Sequence, residues 1–244
     1  MKRNIIFFII FITSVIIGYR CSPFFPQRML FIGDSITYGT GSGNGQCFTQ
    51  IISGRIYTFC SGYTIENNSY FSLVKNTLNS VNYEFINIGC GRSSSSDWSL
   101  YAVEVDCAIT ERRLYDILAV PNLNSMIVYI MLGTEDAINL VSEESYRFNI
   151  HILLNELNEK TFRIVLLTPV QNYSSSVNVQ LKLQAYRDIL LEICDNPASN
   201  FDYTQISCID TYSLLTQNDF SNGEKYPNAA GHAKIANAIL TNLL

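Results

Sequence analysis

The stretch Met29-Leu30-Phe31-Ile32-Gly33-Asp34-Ser35-Ile36-Thr37 decides how this chain folds. Met29 to Ile32 is a short unbroken apolar run, the pattern of a strand buried on both faces of a parallel sheet. It stops at Gly-Asp-Ser. A serine on a tight turn at the end of such a strand carries its hydroxyl at the rim of the sheet, where a nucleophile would stand. A glycine-rich segment, 39–45, follows at once.

Outward from this turn, apolar strand-like runs alternate with helical patterns. Strands are expected over 28–32, 83–88, 126–132, 163–168 and 205–209. Helices are expected near 70–80, 96–118, 145–159, 179–194 and 228–244. In the last of these, Ile235, Ala238, Ile239 and Leu243 recur at helical spacing. Such alternation implies a parallel sheet with helices on both faces. Working residues of such sheets gather at the carboxyl ends of the strands. Ser35, Gly89-Cys90-Gly91 and Gly133-Thr134-Glu135-Asp136 each follow a strand, so one rim should hold all three. The segment 39–69 reads as one long irregular loop beside the serine.

With the strand before it and Ile36-Thr37 after it, Gly-Asp-Ser resembles the first block of the SGNH hydrolases, the GDSL esterases and lipases. Asn87-Ile88-Gly89-Cys90-Gly91-Arg92-Ser93 resembles the second block, whose backbone N–H helps to form the oxyanion hole. Gly91 is read as that donor, and a gapless alignment puts Arg92 there instead. As an ordinary turn, the same segment would use glycine for positive φ and its serines as caps. Gly133-Thr134-Glu135-Asp136 stands where the family has Gly-x-Asn-Asp, so Glu135 takes the place of an oxyanion-binding Asn. An ionised carboxylate only accepts hydrogen bonds and would repel an oxyanion.

The fifth block of the family is Asp-x-x-His before a segment similar to Pro227-Asn228-Ala229-Ala230-Gly231-His232. Upstream this chain reads Ser221-Asn222-Gly223-Glu224-Lys225-Tyr226. With one residue inserted, Asn222 stands at the family Asp position and Lys225 at the His position. Without the insertion, Gly223 and Tyr226 stand there. Neither alignment supplies an imidazole. The two histidines, His151 and His232, read as structural residues of helices. Lys225 could serve as a base if burial lowered its pKa, and Glu135 could do so if it turned toward Ser35. The plainer readings are an exposed loop lysine and a solvated or capping carboxylate.

The resemblance covers about 28–244 and implies a three-layer α/β/α sandwich of flavodoxin-like type around a five-stranded, mainly parallel sheet. It implies carboxylic ester hydrolysis at Ser35 with no metal and no organic cofactor. An acyl-ester or acylated-glycan ligand fits that family. The substituted positions leave two outcomes: a weak or unconventional esterase, and a catalytically silent protein that binds a ligand or partner. The substitutions favour the second.

The remaining features bound the setting. Residues 1–22, with Lys2-Arg3 before an apolar run over 5–17, read as a signal peptide or signal anchor. The rest, 23–244, is one domain, secreted or held to a membrane through that segment alone. Of seven cysteines, Cys47, Cys60, Cys90, Cys107, Cys194 and Cys208 lie beyond Cys21, and 15 pairings are open. Cys47 with Cys60, and Cys194 with Cys208, are candidate pairs. No Cys or His spacing suggests a metal. Asn67-Asn68-Ser69 and Asn172-Tyr173-Ser174 have the form of glycosylation acceptors. A net charge of −5, with no Lys/Arg cluster, argues against nucleic acid.

Overall fold

The computed structural model describes residues 27–39, 68–78, 83–99, 117–118, 120–158, 160–172, 176–195, 206–220 and 225–243, with the backbone alone of 48–52 and 55–59. The leader 1–22, the loop 40–47, Cys21, Cys47, Cys60, Cys107, Asn67, Asn222 and Gly223 lie outside the described residues.

Seven strands are described: β1 (Gln27–Gly33), β2 (Phe48–Ile52), β3 (Arg55–Phe59), β4 (Tyr83–Asn87), β5 (Met126–Met131), β6 (Arg163–Leu167) and β7 (Ile206–Ile209). The helices are α1 (Ser35–Tyr38), α2 (Tyr70–Thr77), α3 (Thr134–Ile138), α4 (Glu143–Asn158), α5 (Val177–Asp195) and α6 (Ala229–Thr241). Five strands form one parallel sheet in the order β4-β1-β5-β6-β7. This is the three-layer α/β arrangement expected from the alternation. The strands β2 and β3 pair as an antiparallel hairpin, which corrects the reading of 39–69 as irregular throughout. Of the helix expected over 96–118, only a short 3-10 turn, Ser95–Trp98, and the residues 117–118 are described.

Period-two sorting of the strand residues builds the two cores. Leu30, Ile32, Val128, Ile130, Ile164 and Leu166 face one side, where α4 and α5 supply Tyr146, Leu153, Leu154, Leu183, Tyr186 and Leu190. Met29, Phe31, Ile127, Tyr129, Met131 and Leu167 face the other, against Tyr70, Phe71 and Val74 of α2 and Ile235 and Ile239 of α6. Phe31 stacks on Tyr129 at 4.9 Å and meets Phe71 edge-on at 5.2 Å. Each such side chain, fully buried, contributes about 1.5–3 kcal/mol. Both faces of β1 and β5 are filled in this way, so these strands occupy the middle of the sheet.

The order also fixes where a site can form. From β1 the chain passes to β4 on one side and then to β5 on the other. The carboxyl ends of β1 and β5 therefore flank the topological switch point, the usual crevice of an open α/β sheet. At the far edge, a disulfide joins Cys194 at the end of α5 to Cys208 in β7, one of the two candidate pairs. Among the described residues, no helix is long and apolar enough to cross a membrane.

Candidate active site

Ser35 opens α1 immediately after β1, and its turn is tightly determined. Asp34 caps the helix, its Oδ1 accepting the Ile36 N–H at 3.0 Å. Its Oδ2 accepts the Thr134 N–H at 3.1 Å, so one carboxyl group ties the serine turn to the turn after β5. Gly33 leaves no room for a side chain: a Cβ there would lie 2.3 Å from the Met131 carbonyl oxygen. Asn87, at the end of β4, donates to the Thr37 carbonyl at 3.0 Å and accepts the Gly89 N–H at 2.8 Å. Three strand ends are thereby locked together around the hydroxyl.

The side chains then converge. Ser35 Oγ donates to Glu135 Oε1 at 2.5 Å. Tyr226 Oη donates to the same oxygen at 2.7 Å. The Arg92 N–H donates to Ser35 Oγ at 2.7 Å. Ser35 is 2% exposed and Glu135 5%. Glu135 is therefore neither a solvated carboxylate nor a simple cap; it is buried and turned onto the serine.

The backbone donor at Ser35 Oγ comes from Arg92, one residue beyond Gly91. Arg92, not Gly91, has the left-handed conformation, at φ 65°. A side chain at Gly91 would meet only the Tyr38 ring, at 3.5 Å, so neither positive φ nor close packing demands glycine there. Non-glycine residues in this region are uncommon and cluster at functional sites. Of the two candidates at the family His position, Tyr226 enters the cluster. Lys225 is exposed, and its carbonyl oxygen accepts the Asn172 side-chain amide at 2.8 Å. That bond leaves Asn172 buried with its nitrogen occupied, unlike a glycosylation acceptor.

The histidines serve the frame. His232 is buried in α6, its Nδ1 accepting the Tyr70 N–H at 3.3 Å while the two rings stack. His151 lies on α4, and burial, with Arg147 nearby, lowers its pKa.

Buried acids crowd the switch point. Burial, and then the charge of Glu135, pushes Asp34 up to about 7. Burial also pushes Asp136 up to about 6, although it accepts bonds from Ser95 N and Ser95 Oγ. The phenol of Tyr226 is raised by burial first and by its bond to Glu135 second, so it holds its proton. Among the described residues, no three His, Cys, Asp or Glu side chains gather as metal ligands.

The arrangement invites comparison with known proteins. Residues 31–234 match the model of the GDSL-like lipase/acylhydrolase family. The chain belongs to that family. No curated protein matches it in sequence. Solved structures share the GDSL fold. A member of the lipolytic G-D-S-L family from Veillonella parvula is 15% identical, with 88% of this chain and 96% of that one covered at TM-score 0.61. A catalytic mutant of an acetylxylan esterase from Geobacillus stearothermophilus is 17% identical, with 89% and 94% covered at TM-score 0.60. A putative lipolytic G-D-S-L protein from Desulfitobacterium hafniense is 20% identical, with 89% and 99% covered at TM-score 0.57.

Two residues of this GDSL-family cluster escape a reading from spacing alone. Arg92 was available only through a gapless alignment, and the bond from Tyr226 to Glu135 joins positions 91 residues apart. The usable signal was paired: an acceptor, Glu135, where the resemblance implies a donor, together with a hydroxyl, Tyr226, where it implies a base.

Proposed function

We propose that this chain hydrolyses carboxylic esters at Ser35, with Glu135 as the group that takes the hydroxyl proton. The 2.5 Å hydrogen bond from Ser35 Oγ to Glu135 Oε1 carries the reading. A serine hydroxyl is a weak nucleophile until an adjacent base accepts its proton, and a buried carboxylate in direct contact can do so. Attack forms a bond between Oγ and the carbonyl carbon while the proton passes to Oε1. Collapse breaks the ester C–O bond, and the alcohol departs with that proton. Water then attacks the acyl-serine and gives a proton to Glu135. The second collapse releases the acid and returns the proton to Ser35 Oγ.

Family membership supports ester chemistry, and the neighbours named as lipolytic proteins and an acetylxylan esterase support small acyl esters or acylated glycans as substrates. The apolar run over 5–17 and the Cys194–Cys208 disulfide support a chain that is secreted or anchored through its N-terminal segment.

A silent, ligand-binding protein is the second reading. The observation favouring it is that Glu135 Oε1 already holds two hydroxyl donors while the nucleophile is almost fully covered. Release of p-nitrophenol from p-nitrophenyl acetate decides between them. Activity that disappears in Ser35→Ala supports hydrolysis, and wild type no faster than that variant leaves the binding reading.

A further inference from the structure

We propose that Tyr226 is a catalytic residue that donates its phenolic hydrogen bond to the oxyanion formed when Ser35 attacks an ester; this rests on the hydrolytic reading above. Three polar groups gather at Ser35: the Glu135 carboxylate and the Arg92 N–H bond its hydroxyl directly, and the Tyr226 hydroxyl shares Glu135 Oε1 with it. An ionised carboxylate can only accept, and the N–H can only donate. Tyr226 is the side chain of the three that brings a proton of its own to the new negative charge.

The geometry also explains when it would do so. Before reaction, the negative charge of the cluster sits on Glu135, and Tyr226 Oη points at Oε1 from 2.7 Å. Once Oε1 has taken the serine proton it is neutral, and its value as an acceptor falls. The charge then resides on the former carbonyl oxygen, bonded to the carbon attached to Ser35 Oγ. The Tyr226 and Ser35 hydroxyls already meet on one oxygen, Glu135 Oε1, so a rotation about the phenolic C–O bond lets the hydrogen follow the charge. The bond to substrate is absent in the ground state and present in the transition state, which is the kind of contact that raises kcat. Burial and the neighbouring carboxylate keep the phenol protonated, so it remains a donor across the working pH range.

The test is Tyr226→Phe, which removes the hydroxyl and keeps the ring; equal melting temperatures show that the variant folds. On p-nitrophenyl acetate, kcat at the pH plateau should fall by about 10²–10³ with KM little changed, the usual cost of one oxyanion donor. Phenylboronic acid, which forms a tetrahedral adduct on serine, should inhibit the variant less well than wild type. If Tyr226 only positions Glu135, the acidic limb of the pH profile moves while the plateau and the boronate affinity stay; that result overturns the proposal. A wild type without Ser35-dependent hydrolysis overturns the hydrolytic reading and this one together. A Tyr226→Phe variant that matches an active wild type overturns this one alone.

Discussion

Ser35 and Glu135 stand 100 residues apart in the chain, and their side chains share a 2.5 Å hydrogen bond in which the serine hydroxyl donates. The pair forms because β1 and β5 are neighbours in the sheet, so the turns after them open side by side. Burial keeps water from competing for the bond, which strengthens it electrostatically. The resemblance to the family implies a donor at this position; here Glu135 accepts.

Glu135→Gln retains the shape and cannot take up a proton. Its kcat on p-nitrophenyl acetate should fall by about 10²–10⁴, the usual contribution of a general base. Lys225→Ala, at an exposed position, should stay within about twofold of wild type. A large loss in the lysine variant with none in the glutamine variant would transfer the base to Lys225.

Glu135 and Tyr226 should be strongly coupled in exchange for family residues. Glu135→Asn alone removes the proton acceptor and should lower activity. Adding Tyr226→His brings an imidazole to the serine and should recover it, with Gly223→Asp as the further step. A double-mutant cycle reads the coupling, and contacting residues of this kind interact by about 0.5–3 kcal/mol. Additive losses would show that the two positions act independently.

Two glycines separate packing from chemistry. Gly33→Ala forces a Cβ to within 2.3 Å of the Met131 carbonyl, backbone that cannot move cheaply in the middle of the sheet. It should cost about 1–3 kcal/mol or more, visible as a lower denaturation midpoint. Gly91→Ala meets only a ring at 3.5 Å and should fold nearly as stably as wild type.

Asp34 and Asp136 make stability depend on pH. Each has an ordinary value of 3.8, raised on folding to about 7 and about 6. Between those limits the unfolded chain has released protons that the folded chain still holds. Their contribution is therefore complete below pH 3.8 and is lost as pH rises toward 7, at up to about 1.4 kcal/mol per pH unit for each group. Melting temperature should decline from pH 4 to pH 7. In Asp34→Asn, which cannot ionise there, the decline should be shallower; an unchanged slope would remove Asp34 as a cause.

The sheet was legible because Met29 to Ile32 and Met126 to Met131 are continuous apolar runs that only a doubly covered strand explains. The hairpin is less plain, although Phe48-Thr49-Gln50-Ile51-Ile52 and Arg55-Ile56-Tyr57-Thr58-Phe59 are rich in β-branched and aromatic residues around Ser53-Gly54. The glycine-rich stretch 39–45 just before it makes the whole segment read as loop. The place of Ser35 just after β1 was equally plain. The direction of the Glu135 side chain was not, because it depends on Tyr226 approaching from the far end of the chain. Nor does residue type disclose that Arg92 adopts the left-handed conformation beside two glycines.

The placement of β1 between β4 and β5 has a consequence for biosynthesis. The serine emerges early from the ribosome, but Arg92 follows 57 residues later, Glu135 follows 100 later, and Tyr226 comes 91 after that. Parallel strands joined by long crossovers pair slowly. A growing chain therefore carries Ser35 without its contacts to Glu135 and Tyr226 through most of translation, and the cluster is complete only after residue 226 has been made.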